Sequence, residues 1–403
     1  MKTLVAIKGA LKKHLFDEQT LLKKDFVNVP KSLIPGEWIN IRDISDNHKC
    51  YLGYINTNTQ LGVQAYVICD QNRELMDNDE FQVAQIHILK SIEEACIRRK
   101  MCLPDEDNFR LIYGRSDLIP GLIVDVYRNI ILIQISTAGV NRFREEIKEI
   151  LYKMFNKRVV FFSGSGLFGA EILPGYSSME EIFEIELMEN GLDLHIPGGV
   201  TQKNGYYFDH RNNRLKFEKY LEKYPGQKKK GLDLFCYIGS WGLHMLRGGV
   251  DSVDFVDQGD FQTTVEENIK RNSLTGKYVF HRSDVFKYLE NEHKNSSLFD
   301  IVVVDPPAFS KTIRNKPNAL RGYSKLYDKL MPILSHKSLV VVASCTHGIG
   351  FEELSENFAR KADKHGKKVQ LLDIGIQGSD HPFSSLKSKS FYLKYLLYYL
   401  EDI

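Results

Sequence analysis

The sequence predicts an α/β protein: a Rossmann-like, doubly wound and mostly parallel sheet in the C-terminal half, preceded by a small β-barrel domain and a small α+β domain. Three observations carry this. Over residues 190–403, short apolar runs alternate with helical stretches, the pattern of strands buried on both faces. Residues 1–70 hold only short β-prone runs separated by turn signals. Residues 80–190 mix strand-like tracts with amphipathic helices. The domain boundaries are placed at 1–72, 73–190 and 191–403, with the polar, acidic stretch 72–79 as a linker.

In the first domain the runs 38–41, 50–55 and 65–69 read as strands, punctuated by Pro35-Gly36, by 45–47 and by 56–58. Their spacing suggests a small barrel. In the second, Ile86, Leu89, Ile92, Ala95 and Cys96 recur near helical spacing over 83–99, ending in Arg98-Arg99-Lys100. Strand-like tracts follow at 109–113, 122–127 and 130–136, then an amphipathic helix over 142–155 and a strand over 158–162. In the third, strands are expected at 232–235, 253–256, 278–282, 301–304 and 339–343, with the aromatic-rich 391–400 as a further buried strand.

Composition excludes several classes. Of 403 residues, 43% are hydrophobic and 26% charged, ample for a large core and unlike a disordered chain. Lys and Arg total 54 against 52 acidic residues, so the net charge of +2 argues against a binder living on bulk charge, while a local basic patch stays open. The apolar run 4–7 is too short for a secretory signal, and no stretch reaches the roughly 18 residues of a membrane helix. The six cysteines form no C-x-x-C pair and are expected as free thiols in a cytoplasmic, reducing compartment, most of them as small buried hydrophobes.

The chemistry concentrates at the ends of the C-terminal strands. The first strand runs through Asp233 and Phe235 into Cys236-Tyr237-Ile238-Gly239-Ser240-Trp241-Gly242. A strand, a glycine turn and a helix make the crevice where a doubly wound sheet binds a nucleotide-like ligand. The turn has G-x-x-G rather than the G-x-G-x-x-G of a dinucleotide site, and Asp233 suits a cation better than a diphosphate. Asp257 ends the second strand, near the spacing of about 20 residues expected of a ribose-binding carboxylate. Asp284 ends the third, positioned to accept from an adenine amino group while Val285 or Phe286 packs on the ring. Each aspartate can equally be a helix N-cap. The fourth strand ends in Asp305-Pro306-Pro307-Ala308-Phe309, where two prolines fix the backbone and Phe309 is placed to stack on a base. The fifth ends in Ser344-Cys345-Thr346-His347, which brings Cys345 to the same sheet edge and leaves His347 as a local polar contact.

Together these segments resemble the class I S-adenosylmethionine-dependent methyltransferases, and specifically the 23S rRNA cytosine-5 methyltransferase family with an N-terminal PUA-like domain. The likeness spans about residues 80–403. It rests on Gly114 to Asp125, on Gln202 to Arg214, on Asp233 to Gly239 and on Asp305 to Phe309. Arg321-Gly322-Tyr323, Ser344-Cys345 and Gly378-Ser379-Asp380-His381-Pro382 complete it. Arg115, Ser240-Trp241 and Thr346 depart from the family pattern.

The resemblance implies S-adenosyl-L-methionine as cofactor and RNA, in particular 23S rRNA, as partner, with no membrane involved and a homodimer left open. It implies Cys345 as the nucleophile that attacks carbon 6 of cytosine, and Asp305 as a group that hydrogen-bonds or protonates N3, which needs a carboxyl of raised pKa. Asp305 or water would remove the carbon-5 proton. Cofactor contacts are expected at Tyr207, Arg211, Asp233, Phe235, Gly239, Asp257, Asp284, Phe286 and Asp305, and substrate contacts at Pro306, Pro307, Phe309 and Arg321. Arg211 and Arg214 can instead be helix-surface charges. Lys12-Lys13, Lys23-Lys24, Arg98-Arg99-Lys100, Lys311, Arg314, Lys316 and Arg321 are the basic candidates for phosphates, each equally readable as a solvated face. Competing readings are N-methylation of guanine or an exocyclic amine, a nicotinamide oxidoreductase, and a non-catalytic RNA-binding assembly factor.

Overall fold

The computed structural model describes residues 1–11, 20–70, 78–162, 171, 173, 183–198, 205–310 and 315–403. The linker stretch 72–77, Lys12-Lys13, Gln202 to Asn204, Lys311 and Arg314 lie outside the described residues. Backbone contacts group the chain into two units: Met1–Met188 with Pro197–Phe208 and Ser379–Phe391, and Glu189–Ile196 with Asp209–Gly378 and Tyr392–Ile403.

The first unit begins with β1 (Lys2–Ala6), β2 (Leu21–Leu22), β3 (Glu37–Asp43), β4 (Asp46–Thr59) and β5 (Gly62–Asp70), in the sheet order β1-β3-β4-β5-β2. β1 is parallel to β3 and the other pairings are antiparallel. The expected barrel is a curled sheet: no continuous ladder joins β1 to β2, although one antiparallel bridge, Ala6 to Phe26, brings the chain after β2 back to β1. α1 (Glu80–Cys102) follows, its N-terminus capped by Asp79, whose carboxylate accepts from the Phe81 N–H at 2.9 Å. Then come β6 (Phe109–Tyr113), β7 (Leu122–Val126), β8 (Ile130–Ile135), α2 (Ala138–Asn141), α3 (Arg144–Phe155) and β9 (Arg158–Phe161), with the four strands in order.

One core joins these pieces. Trp38, Leu52, Tyr54 and Ile68 of the first sheet share it with Val83, Ile88 and Ile92 of α1 and with Leu111, Val124 and Ile133 of the second. The first two sequence domains therefore form a single contact unit. The buried stripe of α1 is also rotated from the one expected: Val83, Ala84, Ile88, Ile92, Ala95 and Cys96 are buried, whereas Ile86 and Leu89 are exposed. With apolar residues on more than half the circumference, spacing alone does not say which stripe meets the core.

β10 (Ile185–Glu189) and β11 (Leu192–Ile196) follow in the chain. The second unit then runs α4 (Arg211–Lys223), β12 (Lys230–Leu234), α5 (Ser240–Arg247), β13 (Ser252–Asp257), α6 (Gln262–Arg271), β14 (Lys277–Arg282) and α7 (Val285–Lys294). It continues with β15 (Phe299–Val304), α8 (Lys316–Leu330), β16 (Leu334–Ser344), α9 (Phe351–Lys364), β17 (Lys367–Gly375) and β18 (Lys394–Asp402). The seven-stranded sheet has the order β14-β13-β12-β15-β16-β18-β17. The first five strands are parallel, and β18 runs antiparallel to both β16 and β17. β15 is buried from end to end, as its run of valines requires between two helix layers. The strand order reverses direction at β12 and β15, so the crevice of the doubly wound sheet opens where Asp233 and Asp305 lie.

Candidate active site

The turn after β12 is held in an unusual backbone form. Phe235 (φ 61°), Tyr237 (φ 51°) and Gly239 (φ 83°) all take the left-handed region, which costs the two aromatic residues strain. The turn is pinned by the Phe235 and Cys236 N–H groups donating to the Val256 carbonyl, and by the Tyr237 N–H donating to Asp257 Oδ2 at 3.0 Å. Gly242 is needed for packing: a Cβ there would stand 2.1 Å from the Phe255 ring. The turn thus folds back over the strand ends and directs α5 away from them.

Asp233 is fully buried. Its Oδ2 accepts from the Gly242 N–H at 2.8 Å, and its Oδ1 is buried with no hydrogen-bond partner among the described residues. Burial pushes the carboxyl up to about 8 against the pull of the Gly242 N–H, and the nearby Asp305 and Asp257 charges add to the rise. Asp257 also accepts from the Gly259 N–H at 2.8 Å, so each of its oxygens already serves the backbone and retains a free lone pair. Asp284 is exposed and caps α7: Oδ1 accepts from the Lys287 N–H and Oδ2 from Gln258 Nε2. Val285 is in the core, and Phe286 packs against it with the Lys325 ammonium 5.3 Å from its ring centre.

Asp305 leaves β15 into a buried Pro306 and an exposed Pro307. Trp241 Nε1 donates to Asp305 Oδ2 at 3.1 Å, and His210 Nε2 lies 3.5 Å from the same oxygen. Burial works to raise this carboxyl, but the His210 imidazole, the Trp241 N–H and the Arg214 charge outweigh it and hold Asp305 below the usual carboxylate range. The expected raised pKa is therefore corrected: Asp305 is an ionised acceptor, and the neutral carboxyl of this edge is Asp233. Phe309 meets Tyr323 edge to face at 4.7 Å and donates its N–H to Thr346 Oγ1, so its ring is partly occupied by the protein.

Cys345 follows β16, with Sγ 3.9 Å from the Pro306 carbonyl. The thiol and the Asp-Pro-Pro turn are thus brought together. Burial pushes the thiol up to about 12; the Asp305 and Asp209 charges add to this, while Lys394 opposes it. Tyr323 donates to Ser344 Oγ at 2.8 Å and shares a hydrogen bond with Thr346 Oγ1, bracing both neighbours of the cysteine.

Other sequence candidates fall elsewhere. Arg211 and Arg214 are not surface charges: both are buried against Glu189, Arg214 Nε at 2.7 Å and Arg211 Nε at 3.8 Å. Arg99 is buried too, with Nη2 on Asp117 Oδ2 at 2.5 Å, and Arg98 reaches the other oxygen of Asp117. Tyr207 belongs to the first unit and is 46% exposed. Arg321 is exposed and donates to Asn318, and Lys316 pairs with Glu353. Sequence reasoning missed His210, Trp241, Tyr323 and Lys394. Only Trp241, a large residue inside a glycine turn, gave a local sign.

Three carboxylates around one sheet edge, one with an unpartnered buried oxygen, suit a ligand that carries a cation and N–H donors. S-adenosylmethionine, with its sulfonium and ammonium, is such a ligand. Residues 213–369 match the family described as "Conserved hypothetical protein 95". Over 71% of its length the chain is 30% identical to a Photobacterium profundum protein named ribosomal RNA large subunit methyltransferase I, covering 72% of that protein. A protein of the same name from Pseudoalteromonas atlantica is 27% identical over 88% of this chain and 89% of its own length. Among solved structures, SMU.776 in complex with SAH superposes with a TM-score of 0.76 at 18% identity, covering 99% of this chain and all (100%) of that one. At that identity the likeness shows the fold.

Proposed function

Since the chain belongs to the family of ribosomal RNA large subunit methyltransferase I, we propose that it transfers a methyl group to carbon 5 of a cytidine in large-subunit rRNA, with S-adenosylmethionine as donor. The observation that carries this reading is Cys345 Sγ beside the Pro306 carbonyl, next to the ionised Asp305.

The bound cofactor supplies an electrophilic methyl group. Asp233 and Asp257 hold its cationic and hydroxyl groups, with Gly239 and Phe235 shaping the turn around it. Asp284, Phe286, Tyr207 and Arg211 are further contacts on this reading. Carbon 5 of cytosine is a poor nucleophile. The Cys345 thiolate adds to carbon 6, forming an S–C bond, and the displaced electron pair makes carbon 5 enamine-like. Because Asp305 is ionised, it accepts from the exocyclic amine rather than donating to N3. Pro306 and Pro307 fix that carboxylate, while Phe309 and Arg321 flank the base and its phosphate. Once carbon 5 is substituted, Asp305 or water takes its proton, the ring double bond re-forms and the thiolate leaves. The target base must be unstacked to reach the cysteine.

One observation favours a second reading. A buried thiol beside two carboxylates and an ionised Asp305 also suit N-methylation of an exocyclic amine, which needs no thiolate. The test is methyl-labelled S-adenosylmethionine with rRNA from cells lacking the gene, followed by nucleoside analysis. Label in 5-methylcytidine, lost on Cys345→Ala with the fold intact, is expected. Label in an N-methylated nucleoside, or full turnover by Cys345→Ala, overturns the carbon-5 reading.

A further inference from the structure

Lys394 is a buried cation that the chemistry above leaves unused. β18 runs antiparallel to β16 and pairs Lys394 with Ser344, the residue before Cys345. The residue is 3% exposed. Its Nζ donates to the Thr346 carbonyl at 2.9 Å and to the Tyr392 carbonyl at 2.6 Å, which satisfies two of its three N–H groups. Among the described residues no carboxylate pairs with it. Lys367, at the other end of the same ladder and also buried, makes the contrast: its Nζ sits 2.5 Å from Asp402 Oδ1. Burying an ammonium without a carboxylate is costly, so an opposing charge is missing from this site in its resting state.

We propose that Lys394 is the positioning residue of the Cys345 thiolate: its ammonium, locked against the Thr346 carbonyl, is the countercharge that lets the thiol ionise in a buried and acidic setting. This rests on the reading of Cys345 as nucleophile. The groups facing Cys345 are Asp305 at the end of β15, Asp209 ahead of α4, Tyr323 from α8 and Lys394 from β18. His347, two residues on, is exposed near Tyr392. Asp305 and Asp209 oppose a thiolate, and the Tyr323 hydroxyl is engaged with Ser344 and Thr346. Lys394 is the group of this set that favours the thiolate, and the Cys345 charge in turn favours the ammonium. The thiol proton leaves to solvent and Lys394 keeps its three protons. When sulfur bonds to carbon 6 the negative charge passes to the ring, and when the adduct collapses the thiolate re-forms beside the ammonium.

The test is alkylation of the full-length protein by iodoacetamide between pH 6 and 10, read by mass spectrometry on the peptide that carries Cys345. Lys394→Gln keeps amide donors without charge, Lys394→Met is a second uncharged variant, and Lys394→Arg keeps the charge. At pH 8 the uncharged variants should alkylate Cys345 about 10-fold more slowly, with the profile moved to higher pH, and Lys394→Arg should stay within about 3-fold of the parent. An unchanged profile in a folded uncharged variant, with only the melting temperature lowered, would reduce Lys394 to a structural staple and overturn the proposal. Methylation by Cys345→Ala instead overturns the reading beneath it, so the two failures are told apart.

Discussion

Asp233 and Asp305 stand at adjacent strand ends, yet they carry opposite charge states. Both lose water on burial. Asp305 is compensated by His210, Trp241 and Arg214, whereas Asp233 has one backbone N–H and two neighbouring carboxylates. The consequence for stability has a definite sign. The Asp233 carboxyl is raised to about 8 in the folded state and has its ordinary, low value in the unfolded chain. Its contribution is therefore fully present below about pH 4 and is lost as pH rises toward 8. Asp233→Asn is expected to melt several degrees above the parent at pH 8, with the gap closing toward pH 4 in a series of thermal scans. The same variant should bind S-adenosylmethionine at least about 10-fold more weakly by calorimetry, because a charged partner of the cation is gone. The sequence marks both positions as ligand candidates. It does not mark their charge states, which depend on residues from α4, α5 and a neighbouring strand.

At the scale of elements, the strand–turn–helix from β12 to α5 is the most legible part of the chain. Apolar β12, Asp233 at its end and glycines at 239 and 242 announce it, and the structure shows each glycine for a separate reason. Gly239 takes φ 83°, and Gly242 makes room for Phe255. Gly242→Ala is expected to destabilise the protein by about 1–3 kcal/mol through overpacking. Phe255→Leu added to it should recover part of the loss in chemical denaturation, because it removes the ring atoms that the new Cβ meets. β17 was not legible: it begins Lys367-Lys368 and shows no clean alternation of burial, because it is an edge strand paired only through β18. α1 was legible as a helix but not in its facing, for Ile86 and Leu89 carry the same local signal as Ile88 and Ile92.

At the scale of the whole molecule, the chain is organised by shared cores more than by segments. Trp38, Leu52, Tyr54 and Ile68 project from the first sheet into a core completed by α1 and the second sheet. A fragment of residues 1–70 is thus expected to lack a cooperative thermal transition by circular dichroism, since these side chains would lie open to water. A folded, cooperatively melting fragment would refute this. Residues Ser379–Phe391 belong to the first unit even though the strands on either side of them, β17 and β18, belong to the second. Nothing in the local sequence signals that return.

The sequence by itself determined the alternation of strands and helices, the glycine turn, the Asp-Pro-Pro edge and the placing of Cys345 at a strand end. These are written in local periodicity and in residues whose backbone preferences act within a few positions. Only the tertiary structure decided which carboxylate is ionised, that Arg99, Arg211 and Arg214 are buried partners of Asp117 and Glu189, and that Lys394 stands behind the cysteine. Those properties come from burial and charge contributed by distant segments, and Coulomb and desolvation energies depend on distance through space, not along the chain.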